Sequence, residues 1–291
     1  MKSKYRGILY ILLAALCFSF MNLFVRMSGE IPSIQKSFFR NFVAVIFAAV
    51  ILFKNRPQVS LDKKSWFYLI LRSFFGTVGI LCNFYAVDHL VLADASMLNK
   101  MSPFFAILFS YFLLKERVTL FQISAVVTAF VGALLIIKPT GSNLEWQPAL
   151  IGLLGGMGAG IAYTMVRILG QRKVPGSFIV LFFSAFSCVV TLPFLIFDFH
   201  PMSWAQLACL LAAGLAAAGG QFSITAAYCC APAKEISVYD YSQILFSAIL
   251  GFIVFQQIPD GFSWLGYAVI CGAAVAMFLY SSRTGQRTEK S

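Results

Sequence analysis

The sequence predicts an all-α integral membrane protein, with ten transmembrane helices arranged as two inverted five-helix repeats around a central cavity. Three observations predict it. The 291 residues are 60% hydrophobic and only 11% charged, with a mean hydropathy of +0.84, which does not suit a soluble domain. Apolar runs of membrane-spanning length recur from one end to the other. The chain also repeats itself: a shift of 141 positions lays Val25-Arg26 on Val166-Arg167, Gly79 on Gly220, Ala86 on Ala227 and Phe121 on Phe262.

A helix needs about 20 mostly apolar residues to cross a hydrocarbon core of about 30 Å. Ten runs meet that need, at 7–27, 35–53, 66–86, 92–114, 120–138, 149–169, 177–197, 205–228, 236–256 and 262–281. Each half holds five. Five is odd, so two halves joined by a short connector must lie upside down relative to each other, an arrangement on which alternating access can be built. The first repeat is placed at 1–140, a connector at 141–148, the second repeat at 149–281 and a cytoplasmic tail at 282–291. The first run follows a basic start, as a signal peptide would. It is too long for one and no Ala-x-Ala-like site closes it, so it is expected to stay as a helix.

Lys and Arg set the orientation. With the N-terminus inside, 17 of the 22 basic residues fall on inner segments, four on outer ones (Arg26, Lys36, Arg40 and Lys138), and Lys100 within a span. Both termini are therefore expected in the cytoplasm, in a multi-pass cell-membrane protein. The net charge of +11 follows from this inner-face excess, which anionic lipids attract, and calls for no nucleic acid. The seven cysteines lie in or beside apolar runs without zinc-ligand spacing, and His89 and His200 are the only histidines. Neither disulfides, nor a metal, nor a cofactor is expected.

At 100° per residue the polar and small residues of six spans gather on stripes. The first half shows Ala15, Ser19, Asn22 and Arg26; then Arg72, Gly76, Gly79 and Asn83; then Ser96, Asn99, Lys100, Pro103 and Ser110. The second shows Gly152, Gly156, Gly160, Tyr163 and Arg167; then Gly214, Ala218, Gln221, Thr225 and Tyr228; then Ser237, Asp240, Gln243, Ser247 and Gly251. Faces of this kind avoid lipid and converge on an interior space. The glycines also read as close helix packing, and Ser and Thr can bond to their own backbone.

Ionisable groups inside a span carry more information, since each is costly there and marks a site or pathway by default. Lys100 lies deep in the fourth span and Asp240 nearer the end of the ninth. These two are the expected contacts for a solute or a proton, with a structural salt bridge as the competing reading. Asn22, Asn83, Asn99, Tyr163, Gln221 and Gln243 are their expected hydrogen-bonding neighbours. Arg40 is a further candidate, although it could snorkel outward. Arg26 and Arg167, at span ends, are expected to anchor at headgroups, and Asp94 to start its helix. Asp88, His89, Asp198 and His200 receive no chemistry. Tyr85, Tyr163, Tyr239 and Tyr241 are placed near the cavity.

The segment Ala93–Thr119, ADASMLNKMSPFFAILFSYFLLKERVT, resembles the signature of the EamA branch of the drug/metabolite transporter superfamily. The features are Ser102-Pro103 and the Leu114-Lys115-Glu116-Arg117 turn. Asp240–Asp260, DYSQILFSAILGFIVFQQIPD, is similar to the matching part of the second EamA repeat. The resemblance covers essentially the whole chain and implies a carrier of small metabolites or drugs, often amino-acid-like. Gln257 stands where relatives have a glutamate opposite Glu116, which argues against a symmetric two-glutamate role. Pro103 has Ile244 as its counterpart, so a kink at Pro103 is not expected to be mirrored.

The sequence therefore leads to a secondary transporter working by alternating access, driven by a proton or solute gradient or facilitating movement, with no Walker-type loop for ATP. A non-transporting scaffold or accessory subunit is one rival. A lipid-modifying membrane enzyme is another, but no nucleophile or carboxylate cluster lies near the headgroups. Solute, direction and oligomeric state are not encoded legibly.

Overall fold

A computed structural model describes residues 2–55, 61–114, 119–138, 146–230 and 237–288. Residues 141–145 of the expected connector, the Glu116-Arg117 turn, and the side chains of Ser110, Thr225, Tyr228 and Ser237 lie outside the described residues, while 146–148 of that connector belong to the helix that follows.

The elements are helical throughout the described residues: α1 (Lys2–Met27), α2 (Ser33–Asn55), α3 (Lys63–His89), α4 (Leu92–Asn99), α5 (Ser102–Leu114), α6 (Leu120–Ile137), α7 (Trp146–Gln171), α8 (Gly176–Phe197), α9 (Trp204–Cys230), a 3-10 turn (Ser237–Tyr241), α10 (Ser242–Phe255) and α11 (Gly261–Thr288). Eight helices are long and apolar enough to cross a membrane. Their outward faces carry large apolar residues such as Phe53, Phe67, Leu120 and Phe197, a surface suited to lipid rather than water. Local chemistry starts two of them cleanly. Asp62 caps α3 by accepting from the Ser65 amide at 3.0 Å, and Thr119 and Gln122 form a capping box on α6.

The fourth run is interrupted, and the ninth opens with a 3-10 turn that leads directly into α-helix. α4 stops at Asn99 and α5 begins at Ser102, and the 3-10 turn gives way to α10 after Tyr241. Pro103 sits in the first turn of α5, where its missing N–H costs nothing and its ring blocks continuation from α4. Its counterpart Ile244 lies inside α10, which continues from the 3-10 turn without a gap, so the break at Lys100–Met101 has no matching gap there.

The packing pairs exchange when the two halves are exchanged. α1 packs on α9 and α3 on α7, while α2 faces α8 and α6 faces α11 across the halves. The fourth and ninth runs lie at the centre, with α4 against α7 and α10, and α10 against α1. Glycine makes the approach of α7 possible. A Cβ on Gly156 would stand 2.5 Å from the Leu98 carbonyl oxygen, and one on Gly160 2.7 Å from that of Ser102. α7 is thus pressed against the backbone on both sides of the α4–α5 break.

One end of the bundle is strongly tied. Lys36, fully buried, reaches Asp88 at 2.6 Å, which joins α2 to α3. Arg26 donates to the carbonyls of Val87 (3.1 Å) and Leu90, so it caps the end of α3 rather than anchoring at headgroups as expected. Gln35 exchanges two hydrogen bonds with the His200 backbone, at 2.9 and 3.0 Å. Gln257 accepts from the Leu92 amide at 3.2 Å, so a neutral amide holds the start of α4. Asp88, given no chemistry by the sequence, is part of this closure.

Candidate functional site

The α4–α5 break aims two groups of Lys100 at the second half. Lys100 ends α4 with φ −74° and ψ 3°, and its ammonium meets Asp240 Oδ2 at 2.6 Å. Its carbonyl, orphaned by the end of the helix, accepts from the Tyr241 hydroxyl at 3.2 Å. Lys100 is 5% and Asp240 8% exposed, so the pair is desolvated as well as close. Each partner left alone there would be an uncompensated buried charge.

Around the pair runs a chain of neutral donors. Asn83 donates to Asn22 (3.3 Å), Asn22 to Ser96 (3.4 Å), Ser96 to Ser247 (2.8 Å), Ser247 to Ser19 (3.3 Å), and Ser19 to the Gln243 carbonyl (3.1 Å). It links α3, α1, α4 and α10. All the groups are buried, so the network fixes the relative placement of both halves while leaving polar surface inside.

That surface encloses a cavity of about 90 Å³. Asn22, Arg40, Asn83, Asn99, Lys100, Tyr163, Gln221 and Gln243 line it, so eight of the nine sequence candidates share one space. The ninth, Asp240, touches it through Lys100. Tyr163 is 40% exposed, whereas Arg40 is 5% exposed and turned inward, which fits its reading as a site candidate and not the alternative of outward snorkelling. Tyr85 stacks on His89 instead, and Tyr239 lines a separate pocket with Trp264 and Tyr267. Asp94 lies in the first turn of α4 as expected, but it also accepts from the Tyr267 hydroxyl at 2.6 Å and so ties α4 to α11.

The sequence reading left out Arg72 and Phe183. Arg72 was counted among inner-face charges, although its stripe with Gly76, Gly79 and Asn83 was visible. It is 4% exposed, lines the cavity, and lies 3.6 Å above the Phe183 ring, with Arg40 at 6.0 Å from the same ring. A Cβ at Gly76 would come 2.8 Å from Arg72 Nη1 and 2.9 Å from the Phe183 ring, so glycine makes room for this stack. No cluster of His, Cys, Asp or Glu suited to a metal occurs among the described residues.

Membrane-length apolar helices around a polar cavity, with an interrupted helix delivering buried charge into it, define a membrane transporter of small solutes. The comparisons agree. The EamA-like transporter family matches residues 5–138 and again 146–279, and the chain belongs to that family. It is 32% identical to the pseudopaline exporter CntI of Pseudomonas aeruginosa, over 93% of this chain and 95% of that protein. It is 25% identical to a riboflavin transporter of Vibrio cholerae (97% and 96% covered) and to human solute carrier family 35 member G1 (95% and 81%). A solved crystal structure shares the fold, with a TM-score of 0.67 at 18% identity over 96% of this chain and 98% of its own.

Proposed function

We propose that the protein is a secondary transporter of the cytoplasmic membrane that carries a small solute by alternating access. Ten spans, the fourth of them interrupted, form two inverted five-helix repeats. The excess of Lys and Arg on one set of loops places both termini inside. The tied end, with Lys36–Asp88 and Arg26, then faces outward, and the cavity opens inward.

The observation that carries this reading is the meeting of the interrupted fourth span with the 3-10 start of the ninth at Lys100–Asp240, at matching places in the two halves. A discontinuous helix at the interface of two repeats is where transporters of this build hold their solute while the halves rock around it. Lys100 and Asp240 join the halves and exchange partners with solute or proton as the halves move. Asn22, Asn83, Asn99, Tyr163, Gln221, Gln243 and Arg40 supply hydrogen bonds to the solute. The protein works as a carrier and needs no catalytic group.

Counterflow of labelled amino acids, nucleosides, vitamins and cationic drugs into proteoliposomes tests this. At least one class should exchange, and Lys100→Ala should abolish that exchange while the protein still folds. Unchanged exchange in Lys100→Ala removes the pair from the site.

A further inference from the structure

Two cavity-lining cations have no acidic partner. Among the described residues Lys100 is balanced by Asp240, but neither Arg40 nor Arg72 makes an ion pair. Arg40 donates from Nη1 to Asn41 at 2.8 Å, and its Nε has no partner. Arg72 is less satisfied still, with Nε and Nη1 both buried and without a hydrogen-bond acceptor. Its stacking on Phe183 holds the guanidinium plane in place without using any N–H.

A buried guanidinium with idle donors is costly unless something is built to meet it. The ordinary remedies are missing here. Both side chains are too deeply buried to snorkel, and the neutral amides around them leave the excess positive charge in place. The planar fork of Arg matches a carboxylate or phosphate with two parallel hydrogen bonds. Phe183, between the two guanidinium groups, gives the solute an apolar wall beside its charged end.

We infer that the cavity takes small organic solutes with a net negative charge, held by an oxyanion group against Arg72 and Arg40. This rests on the transport reading above and gives its solute class. Asn22, Asn83 and Gln221 then meet the uncharged remainder of the solute.

The test uses the purified full-length protein in detergent. Melting is followed against rising succinate, citrate, inorganic phosphate, neutral succinamide and choline, in the wild type, Arg72→Gln, Arg72→Lys and Arg40→Gln. Anionic probes should raise the melting temperature of the wild type, and succinamide and choline should not. Arg72→Gln should raise the concentration for half effect by about 10- to 100-fold, the range for losing a charge-assisted hydrogen-bond pair, with Arg72→Lys between. Arg72→Gln without ligand should melt at or above the wild-type temperature, because an unmatched charge has gone. A purely structural Arg72 would lower it, and that result overturns the inference. Stabilisation by the carboxylates or by phosphate alone identifies which oxyanion is read, and either supports the inference. Stabilisation only by succinamide or choline, lost in Lys100→Ala, would leave the transport reading standing and this inference refuted. A flat response to every probe, together with no counterflow of any solute class, would overturn both.

Discussion

Lys100 and Asp240 meet at 2.6 Å one place out of repeat register: the 141-residue shift carries Asn99, not Lys100, onto Asp240, and Lys100 onto Tyr241. Lys100 therefore bonds to its own counterpart through its carbonyl and to its neighbour's counterpart through its ammonium. The two halves are fastened by residues at equivalent points that have diverged into complementary chemistry. The pair should behave as one unit. Lys100→Ala and Asp240→Ala each strand a buried charge and should destabilise by about 3–5 kcal/mol. Lys100→Met/Asp240→Leu should lose much less than the sum, read as thermal unfolding of the purified variants. Additive losses would show that the two do not act together.

The close approach of α7 to the break gives a second prediction. Gly156→Ala places a methyl 2.5 Å from the Leu98 carbonyl oxygen, so α4 must shift and Lys100 with it. Flux should fall sharply while stability drops by only about 1–3 kcal/mol. Gly170, on the same helix with nothing within 4 Å of a built Cβ, is the control. Gly170→Ala should be neutral or stabilising by up to about 1 kcal/mol with transport unchanged.

Lys36 and Asp88 close the end taken as outer. Asp88→Asn leaves Lys36, fully buried, without a counter-ion. The closed arrangement should weaken relative to the outward-open one, so outer-face proteolysis and hydrogen exchange at the α2 start and α3 end should rise. Unaltered protection in Asp88→Asn would show that the pair does not hold the end shut.

A pH effect is expected from Asp62, at the other end. The Ser65 hydroxyl, then the Ser65 amide and the Arg172 guanidinium, hold its carboxyl below the usual carboxylate range. Its support for the start of α3 is present above the ordinary Asp pKa and is lost as pH falls through the lowered value. Wild type should keep α3 protection through the ordinary Asp range and lose it only at more acidic pH, and Asp62→Asn should show a weaker dependence.

Hydrophobic runs and the repeat were legible because lipid imposes one rule on every span. The inward stripes were legible for the same reason, which is how eight cavity-lining residues could be named. Arg72 was missed because its place in α3 looks like a snorkelling position, and only Phe183, more than a hundred positions away, and the space at Gly76 turn it inward. Lys36–Asp88 and Arg26 were misjudged because their partners come from other helices, which periodicity within one helix does not report.

Accessibility of the cavity from each face tests the central claim most directly. Gln221→Cys, in a chain otherwise cleared of its seven cysteines, would be labelled with a membrane-impermeant maleimide from one side at a time. Labelling should be fast from the cytoplasmic face and slow but measurable from outside, and Asp88→Asn should raise the outer rate and lower the inner one. Labelling from neither face, in either background, would show a sealed interior and contradict the account.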